Sequence, residues 1–330
     1  MEGNWNRKTH DLKAHLAALI PKDELRRLHH KRVWVHFAYV ARQVLILAAS
    51  SAGAALSANP LVWVPCAIVS GFTFFNFTVL LHDLIHDGVT VKRHDRFKRV
   101  LGGCYAFPSG ISQSQFERWH LDHHAELGSP TEDPKRFYLS PKRNERWYKL
   151  LYYTPALFFI YFRAAARETA TYPEALRRRI ARERTLTVLG HLAIATGLGV
   201  YAGPVVLWHA YLVPYLFVFP VAFALNRLGQ HYAIDPSDPA KWSTLIRGNW
   251  FWDFAFLNSD YHLEHHYFPN VPLYNLPRLQ RVLWPFYESI GFKPRGYGQL
   301  FWDFIVRNRP PHANWATSEG EVATAATARG

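Results

Sequence analysis

The chain has 330 residues, of which 49% are hydrophobic and 19% charged, and this composition excludes an intrinsically disordered protein. Its two cysteines, Cys66 and Cys104, are too few for a disulfide-stapled scaffold or a cysteine-rich zinc fold. The 38 Lys and Arg outnumber the 25 Asp and Glu by 13, so the surface is basic and favours an anionic partner such as nucleic acid, lipid headgroups or an acidic protein.

The chain begins with a polar, basic segment, residues 1–34, which we expect to be helical and cytoplasmic. Its first residues are polar, so no cleavable signal peptide is expected. The block 43–82 follows and contains no Asp, Glu, Lys or Arg. A helix crosses a bilayer with about 20 mostly apolar residues, so this block has the length of a transmembrane hairpin. The turn lies at Asn59-Pro60, and the predicted helices span residues 35–57 and 61–81.

Residues 82–184 form a long segment that we expect to be cytoplasmic. Within it, the apolar run 148–162 is too short for a membrane span and is interrupted by Pro155, which indicates an interfacial helix. A second charge-free block of similar length covers 185–226 and breaks at Gly203-Pro204. The predicted helices of this second hairpin span residues 185–202 and 205–226.

Each charge-free block has one alternative interpretation, a pair of core helices in a soluble protein. Such helices usually keep a polar stripe, so two hairpins without a charge favour the membrane. All basic residues lie outside these blocks, and the positive-inside tendency then predicts that both termini and the segments 82–184 and 227–312 are cytoplasmic. We expect one membrane domain over 35–312, and a disordered tail at 313–330, which is rich in Ala, Thr, Ser and Gly. The basic surface then meets anionic lipid, and no nucleic acid partner is required.

Three clusters hold eight of the 18 histidines. The residues are His82 and His86, then His120, His123 and His124, and finally His262, His265 and His266. Positions i, i+3 and i+4 share one face of a helix, and neutral imidazole is the commonest metal-ligating side chain. The clusters flank the two hairpins, so one pocket beneath the membrane can collect all three. Eight histidines exceed the three or four protein ligands of a zinc site and predict two metal ions.

The sequence also offers a ninth ligand and several residues that could orient ligands. His231 follows the last predicted span, although a lone histidine is more often packed or solvated than bound to metal. Asn226, one turn earlier, could orient a metal-bound water. The acids inside the clusters, Asp83, Asp122 and Glu264, could accept hydrogen bonds from ligating imidazoles or could simply be solvated charges. A His-Glu-x-x-His protease motif is absent from the sequence.

The boxes HDLIH, HLDHH and HLEHHYFP, with a charge-free hairpin before the first and another between the second and third, resemble the membrane fatty acid desaturase superfamily over residues 35–290. This superfamily also contains lipid hydroxylases and carotenoid ketolases. The resemblance implies a cytoplasmic helical cap on four transmembrane helices, and two iron ions held by the nine histidines named above. The third box begins with His262, and no His-Pro-Gly-Gly motif of a fused cytochrome b5 domain is present. Acyl-lipid desaturases, sphingolipid desaturases and carotenoid oxygenases all remain compatible with these boxes.

The resemblance implies an enzyme that uses O2, two iron ions and an external electron donor to introduce a double bond into the hydrocarbon chain of a membrane lipid. A hydroxylase or ketolase of an acyl, sphingolipid or carotenoid substrate at the same site is the near alternative. The donor is a ferredoxin or a cytochrome b5-like protein, and a basic inner face suits an acidic donor. More distant alternatives are a metal transporter and a non-enzymatic metal-binding membrane protein. The transporter is disfavoured because the clusters lie outside the charge-free blocks.

Overall fold

The computed structural model describes residues 3–89 and 95–315, and in those residues the fold is helical, with two isolated extended bridges and no longer strand. The predicted all-α fold is confirmed. In chain order the helices are α1 (Asn4–Leu19), α2 (Lys22–Leu28), α3 (Val33–Leu56), α4 (Pro60–Ile85), α5 (Asp95–Ala106), α6 (Gln113–Glu126), α7 (Arg146–Leu150), α8 (Ala156–Thr169), α9 (Glu174–Gly197), α10 (Pro204–Leu207), α11 (Phe219–His231), α12 (Trp250–Ala255), α13 (His262–Tyr267), α14 (Leu276–Ser289) and α15 (Tyr297–Phe301). Further 3-10 or π-helical turns lie at Lys135–Leu139, Leu151–Tyr153, Leu198–Ala202, Trp208–Val218, Pro239–Lys241, Leu273–Asn275 and Trp302–Val306.

Four helical segments of the described residues are long and apolar enough to cross a membrane, as the two charge-free blocks predict. They are Val33–Leu56, Pro60–Ile85, Glu174–Ala202 and Pro204–His231. The third segment begins at Glu174 rather than at the predicted position 185, and this extension is rich in arginine. A charge-free block indicates only the part of a helix that contacts lipid. The backbone hydrogen bonds of the same helix can continue beyond the lipid into water, where charged side chains are tolerated. The same effect extends the second and fourth segments to Ile85 and His231.

Helix α4 is the centre of the membrane part. Within its most apolar window 61% of the residues are buried, against 17% for α3 and 6% for the segment that contains α9. Close approach of the backbones makes this packing possible, since a Cβ on Gly71 of α4 would lie 2.4 Å from Val218. Leu56 and Leu189 remain more than half exposed on the outer helices. Large exposed apolar faces of this kind suit contact with lipid tails.

The N-terminal helices pack against the histidine boxes. Residues 1–34, predicted to be helical, form α1 and α2 in their described part, and Trp5 of α1 is buried with its ring centroid 6.1 Å from that of His266. Asn4 donates from Nδ2 to the Leu127 carbonyl at 2.8 Å, just beyond the end of α6. The N-terminal segment is therefore part of the packed structure around the boxes.

The C-terminal part is fixed by one buried lysine. Lys149 Nζ donates to the carbonyls of Phe304 and Arg309 at 2.9 and 2.8 Å and to Asn308 Oδ1 at 2.9 Å. Downstream, Ala313 exchanges backbone hydrogen bonds with the 232–234 segment, so residues 313–315 of the predicted disordered tail are packed. The rest of that prediction, residues 316–330, lies outside the described residues.

The predicted interfacial helix at 148–162 is divided in the structure. Arg146–Leu150 and the turn Leu151–Tyr153 come before Pro155, and α8 starts directly after it at Ala156. Proline lacks an amide hydrogen and fits only the first turn of a helix, which explains the break. Helix α8 keeps Phe159 70% exposed, as a helix at a lipid surface would.

Candidate metal centre

The first box lies in the last turn of α4, so the central membrane helix carries it. His82 and His86 are one turn apart, with ring centroids 5.1 Å from each other. The helix ends here because Asp87 adopts a φ of 57° and the Gly88 amide donates back to the Asp83 carbonyl at 2.8 Å. A turn in the left-handed region stops a helix and fixes the direction of its last side chains.

The second box lies on α6, which is anchored at both ends. Ser112 caps the helix by accepting from the Gln115 amide at 3.1 Å. Glu183, from the part of α9 that extends into water, accepts from Ser112 Oγ and Ser114 Oγ, each at 2.6 Å. A carboxylate at a helix N-terminus also interacts favourably with the helix dipole. The arginine-rich start of α9, which the charge count did not predict to be helical, thus positions α6.

The third box forms the short helix α13, which follows a tight turn. Leu257 and Asn258 both have positive φ, 52° and 60°, and Asn258 donates from Nδ2 to the Leu273 carbonyl at 3.3 Å. Non-glycine residues with positive φ are uncommon and cluster at functional sites. The turn delivers His262, His265 and His266, all buried, against α6.

The nine histidines converge into two separate groups. The first, called here the cavity group, consists of His82, His86, His120, His124 and His265. The second, called here the enclosed group, consists of His123, His231, His262 and His266, all buried. Within each group, one ring nitrogen per residue lies within 4.8 Å of all the others.

The spacing of the boxes distributes their histidines between the two groups. Successive side chains on a helix are about 100° apart around its axis. Positions i and i+4 therefore point in nearly the same direction, whereas i+3 is rotated away from i in the opposite sense. In the second box the pair at i and i+4 joins the cavity group and His123 joins the enclosed group. In the third box this order is reversed, because His262 and His266 join the enclosed group and His265 the cavity group.

The distances between ring nitrogens fit ligands around a metal better than a hydrogen-bond network. His231 Nε2 lies 3.0–3.2 Å from the Nε2 atoms of His123, His262 and His266. One ring nitrogen carries at most one hydrogen, so it cannot satisfy three such contacts. With metal–imidazole bonds of about 2.0–2.1 Å, neighbouring ligands lie about 2.9 Å apart at right angles and about 3.3 Å apart in a tetrahedron. In the cavity group, His82 Nε2 is buried without a hydrogen-bond partner among the described residues.

The remaining ring nitrogens have fixed partners at several positions. His123 Nδ1 lies 2.8 Å from the buried carboxylate of Asp133, and His231 Nδ1 lies 2.9 Å from the Trp242 carbonyl. Both acceptors leave Nε2 free to bind metal, as carboxylate–histidine–metal arrangements do. In the cavity group, His120 Nδ1 lies 2.5 Å from Lys135 Nζ. None of these partners belongs to a histidine box, and sequence reasoning missed all three.

Burial keeps the box imidazoles neutral, which is the form that binds metal. It lowers the pKa of His86 to about 3, and lowers the pKa of His120, His123 and His265 well below the ordinary value. Burial also lowers the pKa of the Lys135 ammonium to about 7, assisted by the positive charge of Arg227 and opposed by Asp133.

The four residues proposed from the sequence to orient ligands have other partners in the structure. Asp83 accepts from the Leu273 amide at 3.1 Å and faces His36 Nδ1 at 3.1 Å, so it ties α4 to α3 and to the loop after the third box. Asp122 pairs with Arg118 at 2.8 Å on the outer side of α6. Neither carboxylate reaches a ligating imidazole, because each points away from the helix face that carries the histidines.

Glu264 and Asn226 are also engaged elsewhere. Glu264 Oε1 accepts from Gln280 at 2.9 Å and from the Tyr287 hydroxyl at 2.8 Å, and burial raises the pKa of this carboxyl to about 7. These two hydrogen bonds link α13 to α14. Asn226 donates to Ser259 Oγ and accepts from Gln230, both at 2.7 Å, and these three residues line the cavity beside the histidines.

A cavity opens against one side of the metal centre. It spans about 910 Å³, including space that is open to solvent, and its lining contains His82, His86, His120, His262 and His265. Four of these five histidines belong to the cavity group. Most of the remaining lining is apolar. A second, narrower cavity of about 410 Å³ shares four lining residues with it, namely Thr78, Phe116, Tyr161 and Phe223. The two cavities adjoin at these shared residues, and the second is lined in part by Leu157, Phe158 and Phe162 of α8.

Known proteins are similar to this chain over most of its length. The chain matches the fatty acid desaturase family model over residues 58–296. It is 26% identical over 252 residues to the sphingolipid delta(4)-desaturase/C4-monooxygenase DES2 of Homo sapiens, covering 71% of this chain and 69% of that protein. It is 23% identical over 255 residues to the sphingolipid delta(4)-desaturase DES1 of Xenopus tropicalis, covering 72% and 71%. It is 24% identical over 308 residues to a chloroplastic omega-3 fatty acid desaturase of Glycine max, covering 86% and 66%.

Proposed function

Because the chain belongs to the fatty acid desaturase family, and is thus a membrane oxidoreductase that acts on lipids, we propose that it uses O2 and two iron ions to introduce a double bond into the hydrocarbon chain of a lipid. The observation that carries the proposal is the convergence of nine imidazoles into two groups at the end of an apolar cavity. Neither a structural role nor metal transport requires such a cavity.

The donor set fits two ions. The five residues of the cavity group would hold one iron ion and the four residues of the enclosed group the other. Five nitrogen donors exceed the four of tetrahedral zinc, and imidazole also suits iron. Bound iron would supply the redox chemistry that an unactivated C–H bond requires and that no side chain can provide.

The electron balance requires a donor. Desaturation removes two hydrogen atoms from the lipid, and conversion of O2 to two water molecules consumes these together with two further electrons and two protons. An external ferredoxin or cytochrome b5-like protein is the proposed source. The excess of Lys and Arg supports an acidic donor.

The residues of the cavity supply positioning. The apolar walls would bind an alkyl chain at about 0.8 kcal/mol per buried CH2. Thr78, Phe116 and Phe223, which line both cavities, would then help to fix which carbon lies beside the histidines. Placement of the reacting carbon decides the rate and the position of the new bond. The buried histidines and the aromatic lining also keep bulk water away from the site.

The same site supports a second candidate reaction, hydroxylation or ketolation of an acyl, sphingolipid or carotenoid substrate. The human relative carries both desaturase and C4-monooxygenase in its name, so one family architecture hosts both outcomes. Hydroxylation puts one oxygen atom into the substrate and needs the same two electrons. Small differences in placement of the chain separate the two reactions.

We also propose the topology. The loops at Ser57–Asn59 and Gly203 each divide a charge-free block of the sequence, and all 38 Lys and Arg lie outside these two blocks in the sequence. The positive-inside tendency then supports cytoplasmic termini and a cytoplasmic metal centre. Residues 1–34 form a basic lead-in, and the membrane domain covers 35–312.

Lipid mass spectrometry tests the reaction. Cells that express the chain are compared with cells that express His265→Ala. His10→Ala, at an exposed histidine that belongs to neither histidine group, serves as the matched control. A product that is two mass units lighter, present with the control and absent with His265→Ala, supports a desaturase. A product that gains oxygen supports the second candidate. Purified protein without iron contradicts both.

A further inference from the structure

Arg227 is a buried cation in the wall of the substrate cavity. It is the first charged residue after the second charge-free block, only 8% of its surface is exposed, and it lines the same cavity as the histidines. Its Nε is buried without a hydrogen-bond partner, and no Asp or Glu of the described residues forms an ion pair with it.

Such a charge is costly unless something neutralises it. Charged residues within membrane helices are rare and usually mark binding sites. Phe223, the aromatic ring in cation–π contact, has its centroid 6.0 Å from the guanidinium, at the outer limit of such contacts. Tyr232 offers the guanidinium only a neutral hydroxyl, which cannot balance its charge. Lys149 is a buried cation with a structural role, and it differs from Arg227 in its contacts. Its Nζ donates to three oxygens at 2.8–2.9 Å, whereas Arg227 Nε has no hydrogen-bond partner among the described residues.

The cavity wall offers Arg227 no free anion. Asp83, the acidic residue of the lining, accepts from the Leu273 amide and faces His36 Nδ1, each at 3.1 Å. Lys135, a second cation, lines the same cavity. The nearby carboxylate of Asp133 is occupied by His123 Nδ1 and by the amides of Lys135 and Arg136, with Oδ1 at 2.8, 3.0 and 3.2 Å from them. The other polar residues of the lining are neutral: Asn226 is hydrogen-bonded to both Gln230 and Ser259, and Thr78 and Tyr161 contribute only hydroxyl groups. A bound anion would therefore complete this part of the cavity.

We propose that Arg227 binds the oxyanion of the lipid substrate, and that the substrate is a single-chain amphiphile with a carboxylate or a phosphate at one end. This inference rests on the proposed lipid oxidoreductase function. The oxyanion meets the guanidinium, whose planar fork binds carboxylate or phosphate through two parallel hydrogen bonds. The alkyl chain passes the histidines and continues into the second cavity beside Thr78 and Phe223, which line both cavities. Arg227 thus selects anionic lipids over neutral ones with the same chain.

Equilibrium binding of three C16 ligands tests the proposal. The iron-loaded protein in nanodiscs, without reductant, is titrated with radiolabelled palmitate, hexadecyl phosphate and hexadecanol. We expect at least one of the two anions to bind about tenfold or more tightly than hexadecanol. Arg227→Gln should bring the affinities of all three within about twofold, and Arg227→Lys should give an intermediate preference. The stronger of the two anions identifies a carboxylate or a phosphate as the source of the charge.

Arg136→Gln is the matched control. Arg136 is a half-buried arginine near the same site that does not line the cavity, so its loss should leave the preference for anions intact. Three equal affinities in the native protein, or a preference that survives in Arg227→Gln, would overturn the proposal. Equal losses for palmitate and hexadecanol in both Arg227 variants would assign it a structural role and also overturn it. Anion binding without any lipid oxidation in cells would instead contradict the proposed reaction and leave the anion site standing.

Discussion

The cavity group and the enclosed group are made of the same side chain but are supported differently. Four of the five histidines in the cavity group line the substrate cavity, whereas His262 alone does so in the enclosed group. In the enclosed group, Asp133 and the Trp242 carbonyl orient His123 and His231. Buried acceptors therefore hold the enclosed group, whereas the cavity group borders the cavity, and we expect the two groups to respond differently to substitution.

Removal of a proposed ligand gives the largest expected effect. His262→Ala leaves three imidazoles in the enclosed group and should cost that iron, whereas His86→Ala leaves four in the cavity group and should retain more metal. Both variants should lose activity below detection. Iron per chain, measured by elemental analysis, should fall from about two to about one for His262→Ala. If His262→Ala and His86→Ala contain the same amount of iron per chain, the two groups do not differ in how they hold metal.

Substitution of the residues behind the ligands should cost less. Asp133→Asn keeps the size of the side chain but weakens the acceptor for His123, and we expect about a 10- to 100-fold loss of metal affinity in the enclosed group. Asp122→Asn is the matched control, because Asp122 pairs with Arg118 on the outer side of the same helix. Competition with a chelator measures the affinity. If Asp133→Asn and Asp122→Asn have the same metal affinity, Asp133 does not position His123.

Trp5 tests whether the N-terminal helix closes the enclosed group. Trp5→Ala removes a buried ring beside His266, and large-to-small substitutions of this kind destabilise folded proteins by about 3–5 kcal/mol. Iron should be released faster from the enclosed group than from the cavity group. The exposed Trp34 provides the control variant Trp34→Ala. If release rates rise equally in both groups, α1 acts on stability in general.

Thr78→Phe tests the cavity side alone. Thr78 lies where the two cavities join, so a larger side chain there should block the path of the lipid chain. We expect the preferred substrate to become shorter by several carbons while iron per chain stays unchanged, since each excluded CH2 costs about 0.8 kcal/mol of binding. Product profiles for chains of different length measure this shift. An unchanged profile would place the lipid chain elsewhere.

Acid release of iron gives the smallest expected effect. An exposed histidine with a pKa of about 6.5 would be mostly protonated at pH 5 and would lose its metal. Burial lowers the pKa of His86 to about 3, so this imidazole stays neutral at pH 5 and protons compete with iron only nearer that value. We expect iron to remain bound down to pH 5. A release midpoint near pH 6.5 would show that the ligands are more exposed than the structure indicates.

The membrane part was predicted well because absence of charge is a local property. Two blocks without Asp, Glu, Lys or Arg sufficed to find four spans, and the errors fell at helix ends such as Glu174, where the helix leaves the lipid. The boxes were also evident, since helical spacing of histidines is visible within each short box. The residues that contact the box histidines from elsewhere in the chain were not evident from the sequence. Asp133, Lys135 and Trp5 belong to no motif, and each lies outside the box of the histidine that it contacts.

The acids inside the boxes show why proximity in sequence misled. Asp83, Asp122 and Glu264 are neighbours of proposed ligands along the chain, but adjacent helical residues point about 100° apart. Asp83 and Glu264 therefore bond to other segments of the chain, and Asp122 pairs with Arg118 on its own helix. A carboxylate that reaches a ligating nitrogen has to come from another segment, as Asp133 does. Sequence spacing could not supply that information.

The order of amino acids alone is enough for the membrane hairpins, the number of clustered histidines and the likeness to one enzyme family, because charge, spacing and motif are local features. It does not reveal which histidine joins which group, which residues stand behind them, or that the cation of Arg227 faces the lipid cavity. Those outcomes depend on how α4, α6, α11 and α13 pack against one another, and such packing arises from contacts between residues far apart in the chain.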